Sequence, residues 1–414
     1  MKYQMSRGTF SSLAIPPFRR LWIGTSVYFL ALFTLFIGRG ILAKELSGSN
    51  AALGAVVMCF GITGLVATPY GGVLADRFPK RTIILAATAL LLISSIGVAI
   101  ALQFEFIQFW MLLVAASFQG IAFSGLTPAR MAFTADLVGP EELPNGIVLS
   151  QVSMNITFVL GPLIAGVILG VPELGLRWVY WTSVLLTIIA ISIFVTLPLG
   201  GPSARSRDHS PLFDLSEGIK YARSHDLLPV LLATGIVVLA IGFPYVAFLP
   251  SVSQDLFDAG PKGYAWLAAI GASGGVVGTL AIAGTAKSPK IWRTHYLSAI
   301  GFGVGVIGLG LSPNLMTAYL VVFWLGAWSS VFRALNPSLA LSVTDSRLHG
   351  RMQSLVQLGY GFFGVAALPL GILADSIGLR KTLVFMGIAV ICIGFGSNRS
   401  SALRAQSSEA RSGS

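Results

Sequence analysis

Twelve long apolar stretches follow one another along the chain, at 21–43, 50–75, 82–104, 106–136, 146–171, 177–198, 227–250, 263–286, 292–311, 314–344, 352–374 and 380–397. A helix rises about 1.5 Å per residue, so stretches of this kind match the roughly 30 Å hydrocarbon layer of a bilayer. A large soluble α/β chain would break its apolar runs about every ten residues and carry roughly a quarter charged residues. Here 10% of residues are charged, 55% are hydrophobic and the mean hydropathy is +0.81. The expected fold class is an all-α membrane protein of twelve transmembrane helices.

The longest interruption, 199–226, is polar and holds Arg205, Arg207, Lys220 and Arg223. It divides the chain into a first six-helix bundle at 1–198, a linker at 199–226 and a second bundle at 227–398, followed by a polar tail at 399–414 expected to be disordered. The start has bases but no short apolar core with a small-residue cleavage site, and reads as a retained tail. With that tail inside, nineteen lysines and arginines fall on the cytoplasmic side and Lys44, Arg177, Lys262, Arg380 and Lys381 on the other. Cytoplasmic loops are enriched in such bases, so both termini are expected to be cytoplasmic and the protein to lie in the inner (plasma) membrane. The same topology accounts for the net charge of +11 without a nucleic-acid partner, because the bases end apolar segments instead of lining one face. Cys59 and Cys392 both lie inside apolar runs, which leaves no disulfide framework or metal cluster.

The two halves resemble each other at an offset near 210. Gly61 and Gly64 fall on Gly271 and Gly274, Pro79-Lys80 on Pro289-Lys290, and Pro128 and Asp136 on Pro337 and Asp345. "GLR" at 175–177 recurs at 378–380. A parallel duplication of six spans is the architecture of transporters whose halves rock about a central site. "GGVLADRFPKR" at 71–81 resembles the loop 2–3 pattern of the major facilitator superfamily. "FRRLW" at 18–22, "TPARMAFTADLVGPEEL" at 127–143, "GPLIAG" at 161–166, "SEGIKYARSHDLL" at 216–228 and "HGRMQSLVQLGYG" at 349–361 are similar to its enterobactin and macrolide exporter branch.

That resemblance implies a cytoplasmic latch built from Asp76, Arg77, Lys80, Arg81, Asp136, Lys290 and Asp345. An anion such as Asp76 suits the unpaired N–H groups at the start of another helix, which the resemblance places at span 11 near Arg351. Lys80 or Arg81 can then pair with Asp136 at the end of span 4. Pro79 stands where the pattern has Gly, and Ala286 where Asp76 has its counterpart, so the latch is expected in one half only. Bases that only set topology, with Asp76 capping a turn, would explain the same residues.

"GPLIAG", with Gly161, Pro162 and Gly166, resembles the antiporter pattern of the superfamily; its small residues also suit close helix packing. The resemblance implies export of a small amphiphilic or lipophilic compound, drug-like or siderophore-like, by alternating access with protons as coupling ion. A facilitator or importer with other coupling is the alternative. Ionisable residues inside spans are functional candidates, and Arg39, Arg130 and Arg333 qualify, although each sits close enough to a span end to snorkel. Further candidate walls are Tyr28, Phe33, Gln119, Asn155, Tyr245, Trp324, Trp328, Asn336, Gln357 and Tyr360. The branch's span 1 acid is replaced near Leu32 and its early span 4 arginine by Ala116, while Asp76, Asp136, Asp345 and Asp375 lie at span ends. Proton coupling therefore rests on the resemblance.

Two patterns point elsewhere. "GASGG" at 271–275 fits an intramembrane serine nucleophile at Ser273, but His209, His225 and His349 lie in loops and His295 at the start of span 9. "GVGVIG" at 303–308 has dinucleotide-loop spacing without a strand before it, and no nucleotide-binding Walker pattern occurs. Neither an enzyme nor a cofactor is expected. The partners are a small-molecule substrate, protons and lipid, and the protein is expected to work as a monomer.

Overall fold

The computed structural model describes residues 10–171, 173–201, 211–225, 227–282, 291–345 and 348–412; within its helices, side chains are described except at 69, 71–76, 211–216, 349–351, 353–354, 357–358, 360 and 397–412. All regular structure among these residues is helical: α1 (Pro16–Ser47), α2 (Asn50–Arg77), α3 (Lys80–Gln103), α4 (Phe109–Gly170), α5 (Gly175–Val195), α6 (Pro211–Ser224), α7 (Leu228–Val237), α8 (Tyr245–Ser251), α9 (Gly260–Ile282), α10 (Ile291–Leu311), α11 (Leu315–Ser342), α12 (His349–Ile377) and α13 (Leu379–Ser412). Ten segments among the described residues are long and apolar enough to cross a membrane, and one of them, Phe109–Gly170, has 62 residues and carries two spans. With the shorter apolar stretch Gly361–Ile377 of α12, twelve spans result. The chain is an all-α membrane protein.

Spans 4 and 5 form a hairpin within α4. Gly139 breaks the helix with φ 73° and ψ 173°, a conformation open in practice only to glycine, and Pro140 follows. The two arms then run back along each other: a Cβ on Gly146 would sit 3.1 Å from Thr134 Cγ2. Span 7 is also irregular. Its helices α7 and α8 alternate with π turns at Val238–Gly242 and Val252–Leu256, next to Pro244 and Pro250. Proline removes a backbone donor and clashes with the preceding turn, which widened turns relieve.

Two compact units emerge, one of residues 1–46 and 62–207 and one of 47–61 and 208–414. The expected cut between bundles at 199–226 differs from this in one respect, since the first turns of α2 pack with the second unit. α6 lies inside the segment expected to be a plain linker, and α13 continues to Ser412 where a disordered tail was expected from 399. The tail's Ala, Leu, Arg, Gln and Glu residues are good helix formers, which outweigh its serines.

Without a hydrophobic driving force in lipid, span packing relies on small residues that bring backbones together. In the first unit Ser124 Oγ of α4 donates to the Gly64 carbonyl of α2 at 2.8 Å. The repeat-related contact in the second unit is tighter: Gly274 and Gly278 of α9 and Gly326 of α11 lie directly on facing backbone, so a Cβ at any of them would collide with main-chain atoms. The "GASGG" glycines are a packing face, and Ser273 Oγ donates to Ile270 O at 2.8 Å.

Candidate functional site

The turn between α2 and α3 concentrates charge. Lys80 begins α3 and is 2% exposed, while Asp136 near the end of the first arm of α4 is 45% exposed. Their Nζ and Oδ2 atoms are 2.7 Å apart. Lys80 Nζ also donates to Gly201 O at 2.5 Å. Arg81 takes a different partner: its Nη1 donates to Leu197 O at 3.0 Å and its backbone N–H to Leu199 O at 3.3 Å. Arg20 of α1 donates to Thr196 O at 2.9 Å. The last carbonyls of a helix are unpaired and carry partial negative charge, so three bases gathered at the exit of α5 hold the 196–201 segment in place. Arg77 is exposed. The side chain of Asp76 and the whole of Lys290 lie outside the described residues. In the second unit Asp345 lies at the end of α11, where its backbone N–H donates to Tyr221 Oη of α6 at 3.2 Å.

A second polar centre lies inside the first unit. Arg39 of α1 is 3% exposed, and its Nη1 donates to Gln119 Oε1 of α4 at 2.9 Å, joining two of the expected substrate-facing residues. The guanidinium also lies 5.3 Å over the Phe36 ring. Burying a cation is costly unless hydrogen bonds and aromatic faces replace its water, so Arg39 is fixed within the helices and does not snorkel. Arg130 of α4 is likewise buried, 5.2 Å over the Phe29 ring, with Nη1 3.5 Å from Ser150 O and with Nε unpartnered. Tyr28 is fully buried and its hydroxyl has no partner. Asn155 Oδ1 accepts from Gln151 Nε2 at 3.3 Å. Gly161 lies against α1, where a Cβ would stand 2.6 Å from Phe33 Cβ, and Pro162 is buried beside it. Gly166 is half-buried one turn on. In this structure "GPLIAG" is thus a packing surface for α1.

In the second unit Arg333 of α11 is half-buried, 5.7 Å over the Phe243 ring, and its Nε is unpartnered. Tyr245 is buried edge-on to Phe302 at 5.9 Å. Trp324 and Trp328, expected as cavity walls, face α10: Trp324 Nε1 donates to Gly301 O at 2.9 Å, and a Cβ on Gly301 would meet Trp328 Cδ2 at 2.6 Å. Gln357 and Tyr360 have side chains outside the described set. Asn336 is buried with an unexpected partner, His295 of α10, whose Nε2 is 3.0 Å from Asn336 Oδ1. The imidazole stacks on Phe332 at 5.1 Å, is fully buried, and leaves Nδ1 without a hydrogen bond.

A sequence profile of the Major Facilitator Superfamily matches residues 21–367, most of the chain. The chain belongs to the major facilitator superfamily. It is similar to the staphyloferrin A transporter of Staphylococcus aureus, 26% identical over 380 residues that cover 89% of this chain and 94% of that one. It is also similar to macrolide efflux protein A of Streptococcus pyogenes, 24% identical with 91% and 94% covered. The enterobactin exporter EntS of Shigella flexneri is 24% identical, with 82% and 80% covered. Among solved structures the nucleoside transporter NupG superposes with a TM-score of 0.76 at 13% identity, covering 93% of this chain and 99% of that one. A bacterial homolog of the human lysosomal transporter Spinster gives 0.74 at 15%, covering 95% and 98%. These structures show the shared facilitator fold. This superfamily member is a multi-pass membrane transporter, and no enzyme chemistry is needed to explain Ser273.

Two features of this transporter are not legible in the sequence. His295 was placed at a span start by its position, which says nothing of the burial that α11 imposes. The N-terminal segment meets the bend of α4: Ser11 and Ser12 donate to Glu142 Oε2 at 2.6 and 2.9 Å, and Phe18 of "FRRLW" packs with Val138 and Leu149. The serine–carboxylate pairing is not a recognisable spacing, because the partners are 130 residues apart.

Proposed function

We propose that this transporter exports a small amphiphilic compound bearing an anionic group, by alternating access with proton antiport. The observation that carries the reading is the buried Arg39–Gln119 pair joining spans 1 and 4. A guanidinium is a planar set of donors suited to a carboxylate or catecholate once uncovered in the transport cycle, and the Phe36 ring beside it offers an apolar face. Efflux and siderophore transport in the relatives' names support the direction and the substrate class. In this reading the chain is a monomer of two six-span halves joined through 199–226, both termini are cytoplasmic in a bacterial inner membrane, and the Lys80–Asp136 cluster belongs to the cytoplasmic gate with Asp76.

A facilitator with no proton coupling is the second reading. It is favoured by span 1, where Leu32 is 6% exposed in the place of a coupling acid, and by span 4, where Ala116 is fully buried in the place of an arginine. Uptake of anionic and neutral lipophilic compounds into inside-out vesicles separates the two. Proton antiport predicts uptake that stops when an uncoupler collapses the gradient; saturable uptake indifferent to the gradient would replace it with facilitation. Arg39→Ala should raise the half-saturation concentration for the anionic compounds about tenfold or more, the scale of one lost charge-assisted contact. An unchanged concentration dependence would remove Arg39 from the substrate site.

A further inference from the structure

The pentapeptide pattern Gly-x-Leu-Ala-Asp of the α2–α3 turn occurs a second time. "GVLAD" at 72–76 is followed by Arg81 five residues after its aspartate, and "GILAD" at 371–375 by Arg380 at the same interval. The second copy closes span 11, and Gly378, at φ 94°, turns the chain into α13. The two arginines act alike. Arg81 donates to a carbonyl just past the end of α5, and Arg380 Nη1 donates to Gly310 O and Ser312 O at the end of α10, at 2.9 and 2.8 Å.

Asp375 shows what the aspartate does in this copy. Its Oδ1 accepts from the Asn50 backbone N–H at 2.8 Å and from Asn50 Nδ2 at 2.9 Å, and its Oδ2 accepts from the Ala51 N–H at 2.8 Å. Asn50 and Ala51 open α2, so the carboxylate takes the unpaired donors at a helix start, where the macrodipole also favours negative charge. Below it the two helices close to backbone contact. Gly371 lies on Asn50 and Ala51, Gly54 on Ala367 and Gly61 on Gly364, each without room for a Cβ. Val57 is buried in this seam among Ala247, Phe363 and Ala367. These contacts lie inside one compact unit, while the repeat in the sequence counts α2 with the first six spans and α12 with the second.

We propose that Asp375 is a second latch, at the opposite end of spans 2 and 11 from Asp76, and that it holds the extracellular end of the transport path shut. The proposal rests on the alternating-access reading and adds the residue that opposes the cytoplasmic gate. α2 would carry one latch at each end: its start receives Asp375 from span 11, and its end offers Asp76. In the alternating-access reading, opening this end breaks the Asp375 cap on the start of α2.

The test reads the contact without any substrate. The full chain carrying Cys59→Ser, Cys392→Ser and Val57→Cys is placed in nanodiscs, where both faces are open to a thiol reagent. With Asp375 intact, Val57→Cys should react slowly. Asp375→Asn should raise its rate about tenfold, since a neutral amide loses the charge-assisted bonds to the helix start. If that variant does not give a monodisperse protein, Ala51→Pro removes one donor while leaving Asp375 in place, in the first helical turn where proline is tolerated. It should raise the rate in the same direction by a smaller factor. Equal rates with and without the latch donors would overturn the proposal. Because labelling needs neither a transported compound nor a gradient, failure of the export reading would leave this result standing.

Discussion

At the scale of single residues, the polar contacts fall into two kinds. Lys80 and Asp136 form one that the sequence made readable, because both sit at the ends of spans that the loop pattern brings together. Which of Lys80 and Arg81 would pair was not readable, since it depends on the carbonyls of 196–201 and on Gly200, packed against Phe133. His295 and Asn336 form the other kind. Asn336→Leu should destabilise the protein by about 1–3 kcal/mol, because the His295 nitrogen is then buried without a partner. Adding His295→Phe should recover much of that loss, since the unpaired polar group is gone and the ring can still stack on Phe332. Thermal unfolding of the two single variants and the double variant in detergent checks this. Additive losses would show that the pair is not an energetic unit.

At the scale of elements, the glycines of α9 and α11 define how close two spans can come. Gly326→Leu should force α11 away from the Gly271 backbone and lower the yield of folded protein sharply, whereas a leucine at Gly97, which has open space, should be tolerated. Size-exclusion profiles of the two variants measure the difference. The repeat offset made the correspondence between these glycines and Gly61 and Gly64 visible in the sequence, and both sets do lie in span–span contacts. Composition is a weaker guide to α6, whose polar residues have the character of a linker. An amphipathic helix with Ala222 buried against Leu228, Met352 and Leu355 carries too few apolar residues to register as an apolar run. The same limit applies to span 7, where hydropathy marks the crossing but not its π turns.

At the scale of the whole molecule, hydropathy and the spacing of the bases are sufficient for the number of crossings, and the orientation they imply is directly measurable. In a Cys59→Ser, Cys392→Ser background, Ser224→Cys should be modified by an impermeant thiol reagent in inside-out vesicles and protected in intact cells. Phe104→Cys should show the reverse. The same labelling from both preparations would contradict the topology. The contact between the first turn of α2 and the last turn of α12 is not readable in this way, because it joins residues 325 positions apart through a carboxylate that looks, in the sequence, like any other at a span end. The hairpin of α4 bears on how the chain enters the bilayer during synthesis. Spans 4 and 5 are separated by a single non-helical residue, Gly139, and the short polar stretch between their apolar runs, with Glu141, Glu142 and Asn145, is itself helical. The two arms would therefore partition together as a preformed pair, and a disruption of that bend would be felt first as a failure of biogenesis, before any compound is carried.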